Sequence, residues 1–282
     1  MELRQGAVSR AKRRPLLRQR PHPVISYRTE RPWLLSEDFM SKYFSRFYPE
    51  ARFGDFSDVN GTIRFYSRVR ALLEPDFSVL DIGCGRGSHT NTMTSFERLL
   101  RVYKGQARHV LGIDLDRIGE TNTTLDEFRL IEGPRWPVED GSIDLAVSDW
   151  TLEHVEDPAA FLRECHRVLK PGGFLCLRTA NRLGYVVAVS SLIPNRIHTK
   201  VLNKVQPGRE DQDVFPTFYR CNTVGKLRRA LNSIGFDACV YGHNPEPSYL
   251  GFSYASYALG VLYQKLIPGM WGTTLFAYAR KQ

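Results

Sequence analysis

Two hydrophobic periods alternate along this chain. Short apolar runs at 78–82, 109–116, 129–132, 141–148, 174–180, 236–241 and 273–280 read as strands bounded by Gly, Pro, Asn or Asp. Between them, apolar residues recur on one helical face. Residues 60–73 offer Ile63, Phe65, Tyr66, Val69 and Leu72, with Pro75 as the stop. A helix is expected to open at Pro158, the favoured first position, and to bury Phe161, Leu162, Cys165, Val168 and Leu169. Further helices are expected at 88–104, 119–128 and 223–233, the first and last stopped by Gly105 and Gly235. An earlier amphipathic stretch, 33–48, places Trp33, Leu34, Phe39, Met40, Tyr43, Phe44 and Phe47 on one broad face. Strands that alternate with helices predict the α/β class.

After the fifth strand the alternation is interrupted by two insertions, 181–221 and 243–272. Both leave carboxyl ends of strands if the sixth strand runs with the others, and in open α/β sheets ligands bind at that edge. The insertions are therefore expected to specify the substrate. Within the second, residues 248–267 carry one charge, Lys265, and are long enough to be considered as a membrane span. A span is rejected, because the strand at 273–280 must return to the same sheet. A lid over an apolar substrate, a face resting on a membrane, and a helix packed into the protein remain open readings.

Composition separates a tail from a body. Of 282 residues, 42% are hydrophobic and 24% charged, which suits one large domain of 33–282 preceded by a tail of 1–32. The net charge of +9 is concentrated in residues 1–31, where nine basic groups face only Glu2 and Glu30, a net of +7. Arg- and Pro-rich with no regular period, this tail is expected to be disordered; nucleic acid or an anionic membrane surface are its possible partners. Five scattered cysteines (84, 165, 176, 221, 239) have no metal-ligand spacing and form no evident disulfide framework. With no apolar signal segment at the N-terminus, a reducing, cytoplasmic setting is expected.

The chain's chemistry is organised around Asp81-Ile-Gly83-Cys-Gly85-Arg-Gly87. Glycines at alternate positions remove the Cβ atoms that would keep a ligand off the backbone and permit positive φ. A following helix start would favour an anionic group, and Asp81 offers a carboxylate for a ligand amine. The second apolar run also ends in acid, at Leu111-Gly-Ile-Asp114. Together these segments resemble motif I and the second acidic motif of class I S-adenosylmethionine (SAM)-dependent methyltransferases. Arg167-Val-Leu-Lys-Pro-Gly-Gly-Phe174 and the fourth strand, Ile143-Asp-Leu-Ala-Val147, resemble the same family. A nicotinamide-binding loop would have Gly-x-Gly-x-x-Gly, whereas here the sixth position is Ser88.

The resemblance implies a Rossmann-like, seven-stranded, mostly parallel sheet flanked by helices, its last strand antiparallel. It implies SAM as cofactor, with Asp81, Gly83, Gly85 and Gly87 on the methionine side and Asp114 on the ribose hydroxyls. The main chain of Ser148 and Asp149 would hold the amino end of the methionine. The adenine-side acid is not evident in the short 133–138 segment; Glu132 is one candidate, and Trp136 could supply a ring face instead. Oxygen acceptors of high pKa require a base, and His154, after the fourth strand, is the candidate, with packing or capping as its other reading. In the first insertion His198, Asp213, Tyr219 and Arg220 could contact a sugar, phenol or anion, while Asn222 could instead cap the next helix. The expected acceptor is a small molecule, a glycan or a lipid-linked compound, with peripheral membrane contact possible. The alternatives are a SAM-binding protein without turnover and a nucleic-acid methyltransferase. Against the latter, Ser148-Asp-Trp-Thr151 replaces the Asn/Asp-Pro-Pro-Tyr/Phe motif, and no basic groove is evident outside the tail.

Overall fold

The computed structural model describes residues 43–87, 94–187 and 216–282. The predicted tail and most of the predicted 33–48 helix lie outside them; the described end of that helix is α1 (Phe44–Phe47). Strands β1 (Ser78–Ile82), β2 (His109–Asp114), β3 (Glu127–Leu130), β4 (Ile143–Asp149), β5 (Leu169–Ala180), β6 (Phe236–His243) and β7 (Thr274–Lys281) form one sheet. Their order is β3-β2-β1-β4-β5-β7-β6. Only β7 runs antiparallel, pairing with β5 on one side and β6 on the other. The sheet is thus the expected Rossmann-like one, and β6 does run with the parallel strands.

The core explains why these strands read as nearly continuous apolar runs. Alternate residues point to opposite faces, and both faces are covered. Leu80, Ile82, Leu111 and Ile113 pack with Phe161, Leu162 and Cys165 of α4 (Pro158–Val168) and with Leu227 and Leu231 of α5 (Val224–Ile234). On the other face Val79, Val110, Leu145 and Val147 pack with Phe65, Tyr66 and Val69 of α2 (Gly61–Leu72) and with Leu100 of α3 (Ser95–Arg101). Burying a residue such as Leu80 contributes roughly 2 kcal/mol.

Side-chain caps fix where the helices begin. Asn60 Oδ1 accepts from Ile63 N at 2.9 Å, and Asp157 Oδ1 accepts from Ala159 N and Ala160 N at 3.0 Å. Thr223 caps α5, which ends at Gly235 with φ +101°, the left-handed stop expected from the sequence. Asn222 is not the cap. It is fully buried, and its Nδ2 donates to Thr179 Oγ1 at 2.7 Å and to the Ala180 carbonyl at 3.1 Å.

Three sequence expectations are corrected. The helix expected over 88–104 is described as α3, Ser95–Arg101, opened by a Thr94–Glu97 capping box; residues 88–93 lie outside the described set. The helix expected over 119–128 is one 3-10 turn, Arg117–Thr121. Asn122 Oδ1 accepts there from Thr124 N at 3.0 Å, and this local bond competes with helix continuation. Finally, residues 170–173 are a bulge inside β5, not a turn before it: Leu169 pairs with Ile143 and Phe174 with Leu145.

The second insertion forms α6 (Tyr254–Leu266). It packs through Tyr257, Gly260 and Val261, and it joins Tyr48 and Ala51 in a small core of its own. The Phe47 and Tyr257 rings lie 5.5 Å apart. Among the described residues no helix is long and apolar enough to cross a membrane. The rejection of a span therefore holds.

Candidate functional site

Beyond Ile82 the chain turns through Gly83, Gly85 and Gly87 with φ of +73°, +50° and +70°. The three glycines serve different ends. A Cβ at Gly83 would strike the Thr151 side chain, with Cγ2 at 2.9 Å, and one at Gly87 would meet Asn122 Oδ1 at 2.5 Å. At Gly85 a Cβ would meet nothing within 4 Å, so this glycine presents bare backbone to open space. Asn122 holds the loop from beneath, its Nδ2 donating to the carbonyls of Cys84 at 3.0 Å and Gly85 at 3.2 Å.

Asp114 ends β2 beside this loop. Gly85 N donates to its Oδ2 at 2.8 Å and Asp116 N to its Oδ1 at 3.0 Å. Both oxygens keep a second lone pair, so the carboxylate is oriented and can still accept two more hydrogen bonds.

A buried charge cluster lies on the α2–α3 side of the sheet. Asp149 Oδ1 accepts from Arg178 Nε at 2.5 Å, while its Oδ2 accepts from Arg178 Nη2 at 2.6 Å and Tyr66 Oη at 2.8 Å. Arg101 Nη2 lies 3.3 Å from the same Oδ2. Burial alone would raise the Asp149 carboxyl, but Arg178 and Arg101 hold it below its usual range. Asp81, nearby on β1, has no such bidentate partner among the described residues. Burial pushes its carboxyl up to about 6; Arg101 opposes this, and the charges of Asp149 and Asp114 add to it.

The chain leaving β4 is strained and well tied. Trp150 adopts φ +55°, unusual for a bulky residue, and its half-exposed ring stacks on Arg178, whose Cζ is 5.4 Å from the ring centre. Thr151 Oγ1 donates to the Ile82 carbonyl at 3.2 Å, which joins this segment to the glycine loop. Glu153 is buried, so its carboxyl is raised, although Thr179 Oγ1 donates to it at 2.7 Å. The Glu153 carbonyl accepts from Phe218 N at 2.8 Å and Tyr219 N at 3.2 Å. His154 Nδ1 lies 2.8 Å from the Pro216 carbonyl. A carbonyl only accepts, so Nδ1 carries the proton and Nε2 the lone pair in the neutral ring.

The structure brings Asp81, Gly83, Gly85, Gly87 and Asp114 to the carboxyl edge of the sheet. Ser148 and Asp149 end β4 at that edge, but neither side chain is offered to a ligand there. Ser148 Oγ is buried on the opposite face, and Asp149 is locked to Arg178, so only their main chains could serve a ligand. Trp136 does not offer a ring face. It is 8% exposed and packs edge-to-face on Phe161 at 5.4 Å, because it belongs to the core beneath α4. Glu132 is exposed and lies 3.7 Å from Arg117. Tyr219, at φ +49°, belongs to the strap at 216–219 that contacts Glu153 and His154, and the exposed Arg220 follows it. His198 and Asp213 lie outside the described residues. Among the described residues, no group of three or more His, Cys, Asp or Glu side chains is placed to hold a metal ion.

Sequence reading missed Tyr66, Arg101, Asn122 and Arg178. Each acts across elements distant in sequence. Only Arg178, a charge inside an apolar strand run, left a signal that could have been read.

Comparison with known proteins agrees with this geometry. A family model described as a methyltransferase domain matches residues 80–177. A ubiquinone biosynthesis O-methyltransferase of Paraburkholderia xenovorans is 33% identical over 180 residues, covering 60% of this chain and 69% of that protein. One from Caulobacter vibrioides is 32% identical over 145 residues, covering 49% of this chain and 53% of that protein. A protein of Mycolicibacterium smegmatis, described as a probable S-adenosylmethionine-dependent methyltransferase, is 30% identical over 152 residues, 50% of this chain and 55% of that protein. This chain spans about half the length of those last two relatives. The chain belongs to the class I SAM-dependent methyltransferases.

The residues present fit that family's cofactor. Bare backbone at Gly85, the oriented Asp114 carboxylate for two hydroxyls, and Asp81 with Arg101 for an amine and a carboxylate supply complementary groups.

Proposed function

We propose that this protein transfers a methyl group from SAM to an oxygen of a small hydroxyl-bearing acceptor, free or attached to a lipid or glycan. The observation that carries the reading is the setting of His154. Its Nδ1–H is anchored on the Pro216 carbonyl at 2.8 Å, on the loop after β4 that Thr151 ties to the glycine-rich turn. In the tautomer that this bond selects, Nε2 carries the lone pair, the form a general base requires. The relatives named as ubiquinone biosynthesis O-methyltransferases support oxygen as the acceptor atom.

Bound SAM supplies an electrophilic methyl group on a sulfonium. This chain's residues do the rest. The glycine loop and Asp114 fix the donor, and His154 Nε2 takes the proton from the acceptor hydroxyl as the oxygen is methylated. Most of the rate enhancement then comes from alignment. Acceptor choice falls to the elements at the carboxyl edge, including the strap at 216–219 and α6.

The test is transfer of labelled methyl from SAM to a panel of phenols, catechols, alcohols and amines, with wild type and His154→Gln. Methylation of hydroxyl acceptors is expected, lowered by roughly 10²–10⁴ in the variant while SAM affinity is kept. Methylation of amines alone, or wild-type turnover in His154→Gln, would overturn the reading.

A further inference from the structure

The helix of the second insertion is buried on one side only. Tyr257, Gly260 and Val261 face the protein, whereas Leu259, Leu262 and Leu266 are 65%, 52% and 69% exposed. These leucines stand at i, i+3 and i+7 and form one outward stripe. The stripe continues past both ends of the helix, through Phe252 at 77% before it and Met270 at 55% and Trp271 at 47% after it. These six exposed large apolar side chains within twenty residues are unusual on a protein that contacts only water.

Three observations indicate what covers it. First, the segment that carries the stripe has no acidic residue: none occurs between Pro247 and Gln282, Lys265 is on the helix, and the Arg46 guanidinium lies 4.9 Å from the Tyr254 ring centre, while Glu246 and Glu50 lie toward the buried side at Tyr257 and Tyr48. Second, tyrosine and tryptophan (Tyr249, Tyr254, Trp271) rim the leucines, the distribution favoured at a lipid headgroup level. Third, the basic N-terminal sequence is joined to the body at this place. Tyr43, the first described residue, packs edge-on against Tyr254 at 5.4 Å, and the sequence that precedes it carries a net +7 over residues 1–31. Apolar side chains beside concentrated positive charge match an anionic bilayer. They would place like charges together in a two-fold pairing of this chain with itself.

We infer that the outer face of α6, with Phe252, Met270 and Trp271, docks on an anionic phospholipid surface. Since α6 connects β6 to β7 at the carboxyl edge, docking sets the candidate site against the membrane. The inference does not depend on the acceptor or on methyl transfer.

The full chain is to be sedimented with phosphatidylcholine vesicles with and without phosphatidylglycerol, with SAM binding measured in parallel as a check on the fold. Wild type is expected to pellet with the anionic vesicles. Leu259→Asp/Leu262→Asp should lower partitioning by roughly tenfold or more with SAM affinity unchanged, and deletion of residues 1–31 should weaken it without abolishing it. Trp271 fluorescence, read against Trp271→Phe, should shift to the blue with anionic vesicles and be quenched by brominated lipid, a readout that needs no charged substitution. Failure of wild type to pellet would overturn the proposal. So would pelleting that depends on the tail alone, or a dimer that the double variant dissociates while lipid binding is unchanged.

Discussion

Arg178 and Asp149 face each other in register on adjacent strands, joined by two parallel hydrogen bonds of 2.5 and 2.6 Å, with both side chains 4% exposed. The pair also gathers its surroundings. Arg178 Nη1 donates to Thr62 Oγ1 at 3.0 Å, and its guanidinium lies against the rings of Phe65, Tyr66 and Trp150. One side chain on β5 thus fixes α2 and the strained residue after β4. Arg178→Ala strands a buried carboxylate and should cost about 3–5 kcal/mol in denaturant unfolding. Arg178→Lys should recover little, because an ammonium cannot make the parallel bonds. A Lys variant as stable as wild type would show that charge alone suffices.

Asp114 orients the loop, and in the proposed reading it also accepts from the ligand's ribose. Asp114→Ala removes two charge-assisted hydrogen bonds to a bound ribose, so SAM affinity by calorimetry should fall about a hundredfold, roughly 3 kcal/mol. The melting temperature should fall too, since Gly85 N and Asp116 N lose their acceptor. Unchanged affinity in the folded variant would remove Asp114 from the site.

Gly85 and Gly87 should respond to alanine in opposite ways. Gly87→Ala drives a methyl into Asn122 and should destabilise the protein measurably. Gly85→Ala meets no neighbour and should cost only about 1 kcal/mol for its positive φ, yet it should abolish SAM binding. A Gly85→Ala variant that binds SAM normally would show that the cradle lies elsewhere.

Asp81 carries a pH dependence with a definite sign. Its carboxyl rises from an ordinary 3.8 to about 6 in the fold, so the folded protein binds more protons between those values. Stability is therefore lost as pH rises from 3.8 to about 6, by up to about 3 kcal/mol, part of which its partial exposure screens. Asp81→Asn should raise the melting temperature at neutral pH and flatten its change across that window. It should also weaken SAM binding, because the variant offers the ligand amine no charge. In wild type, SAM affinity should rise with pH up to about 6 as the carboxylate forms, and calorimetry in buffers of different ionisation enthalpy should show the released proton. A flat affinity profile from pH 5 to 7 would exclude this role.

Local signals carried the fold a long way. The apolar runs are strands because residues such as Leu80 and Val79 are buried on opposite faces, and a sheet covered on both sides reads as uninterrupted hydrophobicity. The glycine loop, Asp81 and Asp114 were legible because the backbone conformation and strand-end position they need are set within a few residues. The 119–128 helix misled because Asn122 and Thr124 bond locally in preference to continuing the turn. Trp136 misled because nothing local reveals that its ring is enclosed by α4. The pairing of Asp149 with Arg178, the tie of Asn122 beneath Gly85 and the anchoring of His154 on Pro216 join positions separated by 29, 37 and 62 residues. Sequence determined which residues could carry charge, turn sharply or hide from water. Which of them meet was decided by the sheet, since strand order places distant residues in contact and no local propensity encodes that order.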